Sequence, residues 1–191
     1  MEEYKGIKFK VKFAERKTLK YREIKDLAFW AHEFWKMKIA PGNCGNLSVR
    51  SENGFIITST GSKFNLISEK DFTEVLHVDW DLKELRVKGI TKPSSESFLH
   101  AMIYEKRDDV NAVFHVHDLS VLAKADDLGI EVTEKFQEYG SFELVEEVRT
   151  ILGNENYIGI KDHGVIAIGA DLKSAGDLIT EMHNKALTSE K

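Results

Sequence analysis

Two β-prone runs, NLSVR and FIITST, are separated only by Ser51-Glu52-Asn53-Gly54. An Asn-Gly pair accepts positive φ, so the two runs are expected to pair as neighbouring antiparallel strands. VLHVDW and ELRVKG repeat the arrangement around Asp81-Leu82-Lys83, and NAVFHVH, YIGI and GVIAIG read as three further strands. Ile24, Leu27, Ala28, Ala31, Phe34 and Trp35 recur at helical spacing, with Pro41-Gly42 closing that helix. Further helices are expected from near Ser94 (Phe98, Leu99, Met102, Ile103), over Leu119 to Asp127, over Phe142 to Leu152, and from about Asp171. In the last, Ala175, Leu178, Ile179, Met182 and Ala186 form one stripe. Hairpins flanked by helices at both ends predict an α/β chain with a mainly antiparallel sheet covered by helices. No GxGxxG or Walker loop is present.

A length of 191 residues fits one domain with a sizeable core. The net charge of −5 argues against a general nucleic-acid coat. The first 25 residues are nevertheless basic, with nine Lys/Arg against four Glu. Ile7, Phe9, Val11 and Phe13 alternate there with Lys8, Lys10 and Lys12, the pattern of a half-buried edge strand with a lysine face. A single cysteine, Cys44, rules out an internal disulfide framework and any zinc site built on cysteine pairs. No apolar run reaches the roughly 18 residues of a membrane span, and charges interrupt the N-terminus where a signal peptide needs its apolar stretch. The expectation is a soluble, cytoplasmic, single-domain protein with no nucleic-acid or membrane partner.

Three features carry chemistry. His115 and His117 lie two apart on an apolar strand, so both imidazoles face the same way and can reach one ion. His163 precedes the strand Val165 to Ile168, where a loop can aim it over a sheet end. Three imidazoles suit Zn²⁺ before other divalent transition metals, and an open fourth position makes such a site catalytic. Second, in KPSSESFLH, Ser94 and Ser95 fall at the expected helix start and can cradle a phosphate, or Glu96 can fold back as a capping box. His100 lies one turn from Glu96 and either orients that carboxylate or is an ordinary helix histidine. Third, the small-residue loops Gly42 to Asn46 and Thr58 to Ser62 bracket a hairpin and suit an anion. Cys44 reads as a small loop neighbour, His77 as a polar strand residue, and His32 and His183 as residues of surface helices. Ser68 to Asp71 carries a helix-start signal.

Gly45, Asn46, Ser48 and Arg50, then Ile57 to Gly61, then Pro93 to Glu96, then Ala112 to His117, then His163-Gly164 form an order that resembles the class II aldolase/adducin family. The likeness spans roughly residues 20–187 and is greatest to the branch containing L-fuculose-1-phosphate aldolase, with the basic strand of residues 1–20 outside it. The resemblance implies a three-layer α/β/α fold with a central mainly antiparallel sheet, and a homotetramer with active sites at subunit interfaces. It implies His115, His117 and His163 as zinc ligands and Glu96 as the catalytic base. Gly45, Asn46, Thr60, Gly61, Ser94 and Ser95 become the substrate-phosphate site. The implied activity is cleavage of a ketose 1-phosphate to dihydroxyacetone phosphate and an aldehyde through a zinc-stabilised enediolate. Alternatives are a methylthioribulose-1-phosphate-type dehydratase and a non-catalytic adducin-like interaction module. The stretch from His117 to His163 is shorter than in the sugar-phosphate aldolases and lacks their interface tyrosine, although Tyr139 lies within it. Asp162 replaces a histidine common before the third ligand, and the final tail is curtailed.

Overall fold

A computed structural model describes residues 8–188. Among the described residues eight strands form one sheet in the order β1-β5-β4-β3-β2-β6-β8-β7. In chain order they are Lys10–Glu15, Asn46–Ser51, Gly54–Thr58, Phe72–Asp79, Glu84–Lys88, Ala112–Val116, Tyr157–Ile160 and Gly164–Gly169. The helices α1 to α5 are Glu23–Lys36, Ser97–Lys106, Leu119–Leu122, Phe142–Ile151 and Leu172–Thr188. Both expected hairpins form: β2 pairs antiparallel with β3, and β4 with β5. Every neighbouring pair is antiparallel except β1 and β5, which run parallel at the edge.

Alternation along the strands sorts the core into two clusters. Leu47, Val49, Phe114, Val116 and Val165 pack with Leu27, Ala31 and Phe34 of α1 and with Ala175 and Ile179 of α5. Ile57, Val113, Ile158 and Ile166 pack on the other side with Leu99, Met102 and Ile103 of α2 and with Leu144 and Val148 of α4. The three-layer α/β/α arrangement follows from this two-sided burial of a central sheet. Among the described residues no helix is long and apolar enough to cross a membrane.

Several boundaries move from their expected positions. The basic edge strand begins at Lys10 instead of Ile7, which lies outside the described residues, and its half-buried Val11 and Phe13 pack against the α2/α4 core. The second helix starts at Ser97, not near Ser94, because the preceding segment is tied to the sheet. The Ser94 amide donates to the Thr58 carbonyl at 3.0 Å, and Pro93 forms a β-bridge with Ser59. The helix expected from Leu119 to Asp127 is helical only to Leu122, with turns beyond. The Ser68–Asp71 signal does form a capping box, opening a single 3-10 turn.

Gly45 fixes where β2 begins. Its φ is +84°, and a Cβ there would sit 2.8 Å from the carbonyl oxygen of His115. Both the conformation and the close approach require glycine. Gly45→Ala is therefore expected to cost about 1–3 kcal/mol, read as a lower urea midpoint at unchanged m-value. An unchanged midpoint would mean that the start of β2 can move away from β6 without penalty.

Candidate metal centre

β6 points its odd residues toward α2, since Phe114 and Val116 belong to the opposite core. His115 thus faces the N-terminus of α2, and His117 follows on the same side just past the strand end. His163 arrives from the β7–β8 turn. Its neighbour Gly164 makes this approach possible: a Cβ there would lie 2.3 Å from the Val116 carbonyl oxygen and 3.1 Å from the His115 ring. One ring nitrogen from each of the three histidines falls within 4.8 Å of the others. Their ring centroids are 4.7–5.0 Å apart.

The His115 tautomer is set by its partner. Nδ1 lies 3.0 Å from the carbonyl oxygen of Val165, which can only accept, so Nδ1 carries the proton and Nε2 presents a lone pair. Burial holds His115 well below the usual imidazole range, helped by the neighbouring rings of His163 and His100. Burial likewise pushes His117 down to about 3, with His115 and His163 adding to it. Neutral rings with exposed lone pairs are what a metal ion requires.

Glu96 stands at the N-cap of α2, but its side chain makes no capping bond. The capping-box alternative is therefore not realised, and the carboxylate turns toward the histidines instead. Oε2 is 3.4 Å from Nε2 of His115, and Oε1 is 3.8 Å from Nε2 of His163. Oε1 of Glu96, Nε2 of His115 and Nδ1 of His163 are all buried without a hydrogen-bond partner. Leaving several such atoms unsatisfied is costly, and a cation bound among them would remove the deficit. The donor set thus fits a divalent transition metal.

Glu96, His100 and Tyr104 recur every four residues on α2, and Asn46, Ser48 and Arg50 every two on β2. Four helical residues rise about 6 Å and two strand residues about 6.6 Å, so the rows stay in step. Nδ2 of Asn46 donates to Oε2 of Glu96 at 2.7 Å, while Oδ1 of Asn46 lies 2.5 Å from Nε2 of His100. Oγ of Ser48 is 2.6 Å from Nδ1 of His100 and 2.8 Å from the Tyr104 hydroxyl. Arg50 closes the row, donating to the carbonyl oxygens of Tyr104 (2.7 Å), Val110 (2.8 Å) and Arg107 (3.0 Å). Sequence reading missed this ladder, although its two spacings were the available signal.

The two small-residue loops meet at one end of the β2–β3 hairpin, where the Leu47 amide, next to Asn46, donates to Oγ1 of Thr58 at 3.2 Å. Thr60 donates its amide to the Lys92 carbonyl at 3.0 Å, binding the Thr58–Ser62 loop to the Pro93–Glu96 segment. Ser94 is buried, and its hydroxyl accepts from the Glu96 amide at 3.3 Å. Gly140 packs its Cα side directly on Ser95, 2.8 Å from that carbonyl oxygen for a notional Cβ. Cys44 is half-buried in its loop, as expected of a small neighbour. His183 departs from expectation. It is buried in α5, and its Nδ1 lies 2.7 Å from Oδ2 of Asp118, whose other oxygen caps α3. This pair fastens the last helix to the chain just beyond His117.

The family described as "Class II Aldolase and Adducin N-terminal domain" matches residues 25–188. A protein of Methanocaldococcus jannaschii named "L-fuculose phosphate aldolase" is 36% identical over 157 residues, 75% of this chain and 82% of that protein. A Haemophilus influenzae protein named "3-oxo-tetronate 4-phosphate decarboxylase" is 28% identical over 173 residues, 80% of each chain. Among solved structures, one titled "L-fuculose 1-phosphate aldolase" superposes with a TM-score of 0.75 at 23% identity, covering 89% of this chain and 85% of that one. A sugar-phosphate aldolase from Thermotoga maritima gives a TM-score of 0.75 at 21% identity, over 86% and 91% of the two chains. At these identities the structural likeness establishes the fold.

His100 supplies a test of the ladder's burial. Burial lowers its pKa from 6.5 to about 4, against the opposing charge of Glu96. The unfolded chain takes up this proton near pH 6.5 and the folded chain only near pH 4, so stability falls as the pH drops across that window. The contribution of this one group is on the order of 3 kcal/mol. Unfolding of the metal-free protein at pH 7 and pH 4.5 should show the loss, and His100→Gln, which has no titrating ring, should lose less over the same interval.

Proposed function

The chain belongs to the class II aldolase and adducin family, and on that premise we propose that it is a metal-dependent aldolase. It would cleave a ketose 1-phosphate of the L-fuculose-1-phosphate kind to dihydroxyacetone phosphate and an aldehyde. The observation that carries this reading is the convergence of three imidazoles on a buried carboxylate with one unpartnered oxygen. His115, His117 and His163 would hold the ion, with Zn²⁺ favoured by three nitrogen ligands. When bound, it would polarise the substrate carbonyl and stabilise negative charge developing beside it.

The remaining work falls to the chain's own residues. Glu96 moves the proton at the carbon next to the carbonyl, returning it in cleavage and removing it in synthesis. The phosphate is assigned to Gly45, Asn46, Thr60, Gly61, Ser94 and Ser95. The pairing of the Thr58–Ser62 loop with the Pro93–Glu96 segment, and its contact with the start of β2, support a common anion site. One hydrogen of the Asn46 amide is committed to Glu96, and the second remains for substrate. The Ser94 hydroxyl accepts within its loop and keeps its own hydrogen to donate.

The same reading takes residues 1–191 as one domain, with the basic strand of residues 1–20 preceding the matched region. It places the protein in the cytoplasm as a homotetramer. Exposed Phe29, Leu66, Leu119 and Leu187 support association of copies. A second reading is supported by the Haemophilus influenzae relative: a decarboxylase of a phosphorylated 3-oxo acid would use the same metal to accept the charge left by departing carbon dioxide.

The test avoids the unknown aldehyde. Protein loaded with Zn²⁺ is expected to exchange a hydroxymethyl proton of dihydroxyacetone phosphate for deuterium in heavy water, followed by NMR. A chelator should abolish exchange. Glu96→Gln should lower it about 100-fold or more while keeping the metal, whereas His115→Ala should lose both metal and exchange. Full exchange in Glu96→Gln would remove Glu96 as the base, and none from fully metallated protein would turn attention to decarboxylation.

A further inference from the structure

We propose that His100 is a positioning residue for the reaction: acting through Asn46, it fixes the direction in which the Glu96 carboxylate points. This rests on Glu96 being the base of the proposed aldolase. The hydrogen-bond polarity of the ladder follows from a single charge. A carboxylate only accepts, so Asn46 must present its NH₂ group to Oε2 of Glu96, at 2.7 Å. Oδ1 of Asn46 then faces Nε2 of His100 at 2.5 Å, and that nitrogen must donate. Nδ1 of His100 is left with its lone pair and accepts from the Ser48 hydroxyl at 2.6 Å. Ser48 can in turn accept from the Tyr104 hydroxyl at 2.8 Å.

From Ser48 to Glu96 each link then has one direction, with its donor pointing toward Glu96. The Ser48 hydroxyl also lies 3.4 Å from the Val113 carbonyl oxygen, a longer contact than the 2.6 Å to His100. An asparagine amide alone would be free to flip, because its oxygen and nitrogen ends have the same shape. Here a flip would set two carbonyl-type acceptors against each other at Glu96 and two donors against each other at His100. Ser48, His100 and Tyr104 are all buried, so water cannot rescue a misdirected bond. The Nε2–H of His100 thus anchors the Asn46 oxygen on the side away from Glu96, adding a second, directional hold to the preference the carboxylate itself imposes. Oε2 is held by Asn46 beside His115, and Oε1, the oxygen with no partner, is left 3.8 Å from Nε2 of His163.

The two roles open to His100, packing and orientation, make different demands on its replacements. Phenylalanine fills the space but cannot donate. Glutamine is smaller in shape but can place an N–H near the position of Nε2. His100→Phe is expected to lower kcat for proton exchange from dihydroxyacetone phosphate by roughly 10- to 100-fold, since small misplacements of a catalytic group cost this much. KM should stay within about twofold, and zinc stoichiometry should match the wild type. His100→Gln should recover at least about tenfold of the lost kcat.

Wild-type kcat in His100→Phe, or equal loss in the glutamine and phenylalanine variants, would overturn the proposal. A readout without substrate guards against a phenylalanine variant that fails to fold. The ¹⁵N shifts of the ring in the wild-type, zinc-loaded full chain should show neutral His100 protonated at Nε2, with that proton slow to exchange. Protonation at Nδ1 would reverse every bond in the ladder and sink the idea. If metallated wild-type protein exchanges no protons, the aldolase reading fails instead, and the ring tautomer alone decides the orientation of Asn46 and Glu96.

Discussion

A row of polar side chains can be buried between a helix and a sheet only if each group meets a partner, and this constraint organises the molecule around its site. α2 is buried on nearly every side, so the residues it turns toward β2 have no access to water. The coincidence of about 6 Å per four helical residues and about 6.6 Å per two strand residues lets Glu96, His100 and Tyr104 stay level with Asn46, Ser48 and Arg50. Arg50 ties the far end to the carbonyl groups closing α2, and Asn46 ties the near end to Glu96. A helix packed only by apolar contacts could slide or rotate by a fraction of a turn without losing much. This one cannot shift without stranding buried donors and acceptors.

The histidine cluster depends on a second fixed pairing. β6 and β8 are antiparallel neighbours, with His115 opposite Ile166, and Val165 supplies the carbonyl that sets the His115 tautomer. The absence of a side chain at Gly164 lets the His163 turn come close enough to complete the cluster. The His-Gly pair therefore couples the third histidine with the backbone clearance it needs. On the outer side, Asp118 caps α3 and pairs with His183, so the loop after His117 is anchored to α5. The centre is held by elements from both layers of helices.

Much of the architecture was legible because the relevant signals are local. Asn53-Gly54 identified a hairpin, alternation identified the half-buried edge strand, and two histidines two apart on an apolar strand had to share a face. The departures have physical reasons. Ser94 is a good helix cap, yet its amide goes to Thr58 and its neighbour Pro93 bridges Ser59, so the helix waits for Ser97. Nothing in a lysine-faced strand says whether it runs parallel or antiparallel to its neighbour, and β1 proved parallel. His183 looked like a surface residue because its partner, Asp118, is distant in sequence.

The sequence by itself determined the alternation that splits the core across two faces, the order of the motifs, and the identity of the groups able to hold a metal or an anion. These depend on side-chain chemistry and on periods of two and 3.6 residues, both written in the chain. Only the tertiary structure decided that Glu96 turns away from its helix end toward the histidines, and that Asn46 and His100 stand behind it. Those outcomes depend on which helix lies over which strand and in what register. A carboxylate chooses between capping its own helix and facing a metal site only once the packing has decided which unsatisfied groups lie within its reach.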